Sequence, residues 1–217
     1  MTEHHDHAGH DMGGNVNTMA LSATLHCLTG CAIGEIVGLM IGTALGLSNV
    51  ATIAIAVALA FLFGYSLSTL PLLKAGLAVG TALSVVLAAD TLSILTMEIV
   101  DNLVMALIPG AMNAGLVNAV FWIGMAIALA AAFAAAYPVN RYLLQRGKGH
   151  ALTHEYHHGG GQATGWRLYI PSLSTGALVA AIAAFMLGGL VVSIADGLDS
   201  GSGESDHAAA AATSPRV

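Results

Sequence analysis

Residues 25–46 read LHCLTGCAIGEIVGLMIGTALG, an apolar stretch that contains a single carboxylate, Glu35. A membrane-spanning helix needs about 20 consecutive apolar residues, and this stretch is long enough. Glycine recurs at every fourth position, which lets the backbone of a second helix approach closely. The stretch therefore predicts a transmembrane helix that packs tightly against another helix. The predicted packing residues are Gly30, Gly34, Gly38, Gly42 and Gly46.

The remainder of the chain has the same apolar character. Of its 217 residues, 56% are hydrophobic and 8% are charged, whereas a soluble domain carries about 25% charged residues. Six Lys and Arg residues are too few for a nucleic-acid-binding protein, and two cysteines exclude a disulfide-rich secreted scaffold. The composition predicts an all-α, polytopic membrane helix bundle in contact with the lipid bilayer.

Five apolar runs are long enough to cross a bilayer. Polar turns and prolines separate them, and we expect Pro71, Pro109 and Pro138 to end the second, third and fourth runs. The third run is the longest, so the membrane depth of its carboxylates stays open. The predicted spans are residues 19–45, 50–72, 75–108, 116–137 and 170–195.

The segments outside these runs are polar. Residues 1–17 are rich in Gly and His, and residues 197–217 in Gly, Ser, Ala and acidic residues. Neither segment could bury a hydrophobic core. We expect both tails to be disordered, residues 18–196 to form the transmembrane domain, and a His-rich cytoplasmic loop at residues 139–168.

The basic residues predict the orientation. Lys74 lies between spans two and three, four more basic residues lie between spans four and five, and only Arg216 follows span five. Cytoplasmic loops carry an excess of Lys and Arg. The sequence therefore favours a multi-pass protein of the inner (plasma) membrane, with its N-terminus in the cytoplasm and its C-terminus outside.

The first span carries candidate metal ligands. Cys27, Cys31 and Glu35 follow one another at intervals of four and share one helix face, and His26 lies beside them. An ionisable group inside a span suggests function, whereas free cysteine is commonly a small buried hydrophobe. These four residues predict either a metal-ligand cluster or inert thiols beside a functional carboxylate.

The third span carries a second candidate group. Met97, Asp101 and Met105 share a face, Glu98 lies in the neighbouring row, and Asp90 lies two turns earlier. No Lys or Arg of the predicted spans can pair these carboxylates, so they must be protonated, hydrated or bound to a cation. That arrangement is typical of a cation site or a proton relay. The alternative is that Glu98 and Asp101 lie at the water boundary and face solvent.

Two histidine clusters flank the spans on the predicted cytoplasmic side. Imidazole and thioether groups suit copper, zinc or nickel, and His-rich tracts are typical of metal binding. A solvated coil explains the N-terminal cluster equally well. Because His26 is the only histidine in a predicted span, haem bound by paired helical histidines is not expected. The accessory metal-collecting candidates are His4, His5, His7, His10, His150, His154, His157 and His158.

Three strings carry a family resemblance: HCLTGCAIGE at 26–35, MEIVDN at 97–102 and VNRYLLQRGKGHALTHEYH at 139–157. They resemble an uncharacterised family of bacterial multi-pass membrane proteins known only as a domain of unknown function. The resemblance covers residues 20–195. It implies no activity and no residue roles, but family members occur near copper-handling proteins, which implies a link to copper.

Two functions fit these observations. The first is an integral membrane protein that binds or transports a transition-metal cation, copper first and zinc or nickel next, with proton exchange at the carboxylates. The metal is then the cargo, and no cofactor is certain. The second is a non-catalytic assembly factor or subunit that packs on a membrane-protein partner through the glycine stripe. A homodimer would give room for a pathway that one copy lacks. No catalytic motif occurs, so an enzyme is not expected.

Overall fold

Five long α-helices make up most of the computed structural model, which describes residues 12–146, 165–170 and 174–212. Short 3₁₀ helices precede the fourth and fifth, at Ala111–Asn113 and Gly165–Tyr169. Each long helix contains a segment long and apolar enough to cross a membrane. The predicted all-α bundle of five spans is therefore confirmed. The helices are α1 Met12–Ala44, α2 Asn49–Lys74, α3 Val79–Leu107, α4 Ala119–Gln145 and α5 Thr175–Ala212.

Two prolines lie inside helices rather than at their ends. Helix α2 continues past Pro71 to Lys74, and α4 continues past Pro138 to Gln145. The predicted ends of spans two and four are therefore wrong. Transmembrane helices tolerate proline because neighbouring helices and polar side chains satisfy the freed carbonyl groups.

Helix α3 begins later than predicted. Gly76 has a φ of 105°, a left-handed conformation that ends the helical path after α2. The chain then starts again at Val79, which makes the third span shorter than the run from residue 75 suggested. Pro109 does follow the end of this helix, as predicted.

Helices α1 and α5 extend beyond their apolar runs. Helix α1 begins at Met12 and α5 continues to Ala212, so helix occupies parts of both segments that were expected to be disordered tails. Once a helix is nucleated, each further residue adds a hydrogen bond. The histidine clusters at residues 4–10 and 150–158 lie outside the described residues.

The glycine stripe of α1 packs on α2 of the same chain. A Cβ added to Gly30 would lie 2.5 Å from Gly64 Cα, and one added to Gly34 would collide with the backbone of Ala60. Gly46 differs from the other four glycines. It lies just after the end of α1 in a left-handed conformation with a φ of 63°, and a Cβ added there would meet nothing within 4 Å. The facing pairs, in antiparallel order, are Gly30 with Gly64, Gly34 with Ala60, Gly38 with Ala56 and Gly42 with Thr52.

Helix α1 is the centre of the bundle and contacts all four other long helices, while α3 also contacts α2 and α4. Helices α1 and α3 run parallel. We call the end where α2 and α4 finish the basic end, because Lys74, Arg141 and Arg146 lie there. Arg167 joins it, since its Nη1 donates to Gly76 O at 2.8 Å. The predicted orientation places the basic end in the cytoplasm.

Helix α5 attaches to the bundle at Trp122 of α4. The buried Trp122 ring lies edge-on to Phe185, with ring centroids 5.8 Å apart, and its Nε1 donates to Leu116 O at 2.8 Å. Ser193 Oγ is also within hydrogen-bond distance of Leu116 O, at 3.1 Å. Most other described side chains of α5 are exposed in the single chain, so it is the least buried of the five long helices.

Adjacent glycines of α5 allow a matched test of this attachment. A Cβ at Gly189 would overlap the Trp122 indole, whereas a Cβ at Gly188 meets nothing within 4 Å. We expect Gly189→Ala to destabilise the protein by about 1–3 kcal/mol through overpacking. Gly188→Ala should be neutral or stabilise it by up to about 1 kcal/mol. Thermal unfolding in detergent, followed by tryptophan fluorescence, measures both, and equal melting temperatures would contradict the attachment.

Candidate cation site

Buried polar and sulfur-containing side chains form a column between α1, α3 and α4. Each is at least nine-tenths buried. From its first to its last residue on α1 the column rises about 16 Å, roughly half of a 30 Å hydrocarbon core. We call it the polar column, and its members are Thr24, Cys27, Cys31 and Glu35 of α1, Asp90, Ser93, Met97, Glu98 and Asp101 of α3, and Asn140 of α4.

Parallel helices with matched spacing build the column. The residues of α1 follow at intervals of three or four, as do those of α3 except for Glu98, which follows Met97 directly, so each helix presents one continuous face. Because α1 and α3 ascend together, Cys31 lies beside Met97 and Glu98, and one turn later Glu35 lies beside Asp101. The two faces predicted from sequence therefore meet.

The middle of the column brings two sulfur atoms and a carboxyl group together. Cys31 Sγ lies 4.0 Å from Met97 Sδ, and the Glu98 carboxyl group is an electrostatic neighbour of the same thiol. Cys27 and Cys31 form no disulfide with each other, since the spacing of four on one helix suits that geometry poorly. This group combines two soft donors with one hard donor.

The end of the column nearest the basic end is a hydrogen-bonded junction of three helices. Asn140 Nδ2 donates to Thr24 Oγ1 and to Ser93 Oγ, both at 2.9 Å. Thr24 Oγ1 in turn donates to Ala20 O at 2.7 Å. Sequence analysis missed Asn140 because it lies beyond the predicted end of span four. The sequence pattern that could have indicated Asn140 is its spacing of four residues from Ala136, since both lie on the buried face of α4.

A cavity of about 330 Å³ lies at the other end of the column, where α1 and α3 finish. We call this end the cavity end. Glu35, Asp101 and Met105 form its buried floor. Exposed turns form its rim, where Asn49 Nδ2 donates to Asn113 Oδ1 at 2.8 Å. The column is therefore continuous with a space open to the surface of the bundle.

The three carboxyl groups nearest the cavity are buried together. Glu35, Glu98 and Asp101 are 9%, 3% and 5% exposed, so Glu98 and Asp101 face the bundle interior rather than solvent. Within the described part of the chain, both oxygens of each glutamate and Oδ1 of Asp101 have no hydrogen-bond partner. A buried charge without partners is costly. These groups must therefore carry protons or hold water or a cation.

The remaining predicted ligands are spread out. His26 is half-buried on the face of α1 next to the column, and Met105 lies at the cavity floor. Among the described residues, no three His, Cys, Asp or Glu side chains are arranged to hold a metal ion. The group at Cys31 is not one of these sets of three, because one of its possible donors is a methionine, Met97.

Five apolar helices around a buried polar column define an α-helical, multi-pass membrane protein. The chain belongs to the family described as Domain of unknown function (DUF4396), whose model matches residues 16–149. That match contains α2 to α4, nearly all of α1, and every residue of the polar column. The resemblance to an uncharacterised family is therefore confirmed. No curated protein and no solved structure matches the chain.

Proposed function

We propose that this protein binds and transports a transition-metal cation through the polar column, with copper first and zinc or nickel next. The observation that carries the proposal is the pair Cys31 Sγ and Met97 Sδ, 4.0 Å apart, beside Glu98. Thiolate and thioether sulfur suit soft cations such as copper(I), and thiolate also suits zinc. We also propose that the protein lies in the inner membrane with its basic end in the cytoplasm, as the Lys and Arg residues of that end favour.

The sulfur separation suits one bound cation. A metal–thiolate bond is about 2.3 Å long, so two such bonds span at most about 4.6 Å. At 4.0 Å the two sulfur atoms could therefore hold a cation in a bent arrangement. The Glu98 carboxyl group is placed to supply a third donor from the same side of α3.

Charge balance supports proton exchange in the same column. When Cys31 binds copper(I), a sulfur–copper bond forms, the S–H bond breaks and one proton leaves. Glu35, another electrostatic neighbour of this thiol, can accept the proton while Glu98 binds the ion. Between residues 1 and 140 the sequence has Lys74 as its single Lys or Arg, and it lies at the basic end. No fixed positive charge of the column therefore opposes the entering cation.

Copper(I) titration of the detergent-purified full chain tests the proposal. We expect Cys31→Ser and Met97→Leu each to weaken binding at this site by about tenfold or more, as loss of a metal-site contact does. The matched control is Met40→Leu, since Met40 is 51% exposed on the opposite side of α1. Met-to-Leu exchange conserves volume and costs under about 1.5 kcal/mol. Equal affinities for Met97→Leu and Met40→Leu would refute the sulfur site.

The alternative function needs an accessible glycine stripe. Gly34 and its neighbours in the stripe are covered by α2 of the same chain. Assembly with another membrane protein through this stripe would first require α2 to separate from α1. We therefore propose transport in preference to assembly, and a homodimer remains a proposal that goes with transport.

A further inference from the structure

The geometry points to a second cation site: the cavity binds a hydrated divalent cation of the magnesium or manganese class through Glu35 and Asp101. This inference goes beyond the copper proposal, because it involves other donors, another class of ion and the cavity end of the column. It does not depend on metal binding at Cys31.

The donor atoms of the cavity favour a hard cation. Besides the two carboxyl groups, the polar side chains of its wall offer amide and hydroxyl oxygens, among them Asn102 and Thr52. Carboxylate, carbonyl and water oxygens suit magnesium, calcium and manganese. Asn102 Nδ2 donates to Glu98 O at 2.9 Å, so its amide nitrogen is already occupied.

Three of the four carboxyl oxygens of Glu35 and Asp101 have no hydrogen-bond partner among the described residues. Glu35 is more than nine-tenths buried and lines the cavity, yet neither of its oxygens accepts a hydrogen bond from the described residues. Oδ1 of Asp101 also accepts no hydrogen bond from the described residues. Groups of this kind need a ligand or an ordered water molecule. A cation with its water shell provides both.

The size of the cavity leaves room for the water shell of an ion. Its volume of about 330 Å³ is many times the roughly 10–15 Å³ that one water molecule needs. Magnesium keeps several of its waters and binds through one or two carboxylates. A partly hydrated ion held by these two carboxyl groups therefore fits the space.

Charge also favours a cation here. Lys74, Arg141 and Arg146 belong to the opposite, basic end, and Arg167 contacts that end through Gly76. The described lining of the cavity contains two acidic residues and no basic one. The competing occupant is copper, because the wall also includes Met105, Met112 and Met125.

Manganese(II) binding, measured by the electron paramagnetic resonance signal of the free ion, tests the site. The background is the full chain with Cys27→Ser and Cys31→Ser, which removes both thiols. We expect Glu35→Gln combined with Asp101→Asn to weaken binding by about tenfold or more. Asp196→Asn, an exposed carboxylate on α5, is the matched control and should bind as the background does.

A second variant keeps both carboxyl groups. A Cβ at Gly115 meets nothing within 4 Å, and this residue lines the cavity. We expect Gly115→Phe to fill the space needed by the water shell and to weaken manganese binding while the protein elutes as a folded species. Magnesium should displace manganese from the background protein.

The outcomes separate this site from the sulfur site. Unchanged manganese affinity in both cavity variants would overturn the inference, as would stronger displacement by copper(I) than by magnesium. Loss of manganese binding on removal of the thiols would also overturn it. The copper proposal would fail on a different result, which is an unchanged copper(I) affinity in Cys31→Ser and Met97→Leu.

Discussion

Gly34→Ala is expected to disrupt the pairing of α1 with α2 and to be the most destabilising alanine substitution in the stripe. The added methyl group would meet the backbone of Ala60, which no rotamer change can move aside. Overpacking usually costs about 1–3 kcal/mol of stability and occasionally more. Because the collision is with backbone atoms, we expect Gly34→Ala to cost about 3 kcal/mol or more. The melting temperature and the fraction of monodisperse protein in detergent measure the effect.

Paired substitutions identify the cause. Because the collision at Gly34 is with backbone atoms, Ala60→Gly should not rescue Gly34→Ala. At Gly42 the added Cβ would meet side-chain atoms of Thr52 instead. Thr52→Gly should therefore recover part of the stability lost in Gly42→Ala. Rescue in the first pair, or its absence in the second, would contradict the observed helix contact.

Glu35→Gln and Asp101→Asn are each expected to abolish copper flux into proteoliposomes while the protein still inserts and purifies. These carboxyl groups lie between the sulfur pair and the cavity, so any cation moving along the column passes them. A charge in the membrane interior costs about 3 kcal/mol on insertion scales. If one carboxylate offsets a cost of that size, its loss slows transport about a hundredfold.

The control for this experiment is again Asp196→Asn, which removes a carboxylate outside the column. It should retain the flux of the unmodified chain. Because both amide variants keep the size of the original side chain, misfolding is a poor explanation for a loss confined to flux. Normal flux in Glu35→Gln and in Asp101→Asn would rule out the column as the pathway.

The five helices could be predicted because lipid requires long apolar runs, and such runs are visible in composition alone. Their ends were harder to predict. Pro71 and Pro138 were expected to end helices, but in a helix bundle the freed carbonyl groups find other partners. Gly76 ended a helical path instead, through a left-handed conformation that the sequence does not distinguish from other glycines.

Spacing also predicted the two halves of the site, but not their relation to each other. The interval of four placed Cys31 with Glu35, and Met97 with Asp101, on single faces. Which helix each face would meet depends on tertiary packing. The residues of α2 that face the glycine stripe, centred on Ala60, could not be predicted because small residues recur throughout that helix.

The Asn140 junction has an energetic consequence for ion passage. Any ion that travels the whole column has to part Asn140 from Thr24 and Ser93. Hydrogen bonds between membrane helices are worth about 0.6 kcal/mol on average and up to about 1.7, so in the proposed transport two of them are a barrier that thermal motion can overcome. Pro138, two residues earlier in α4, leaves a backbone carbonyl without its helical donor and provides a site for bending. The column thus reaches an open cavity at one end and a hydrogen-bonded junction at the other.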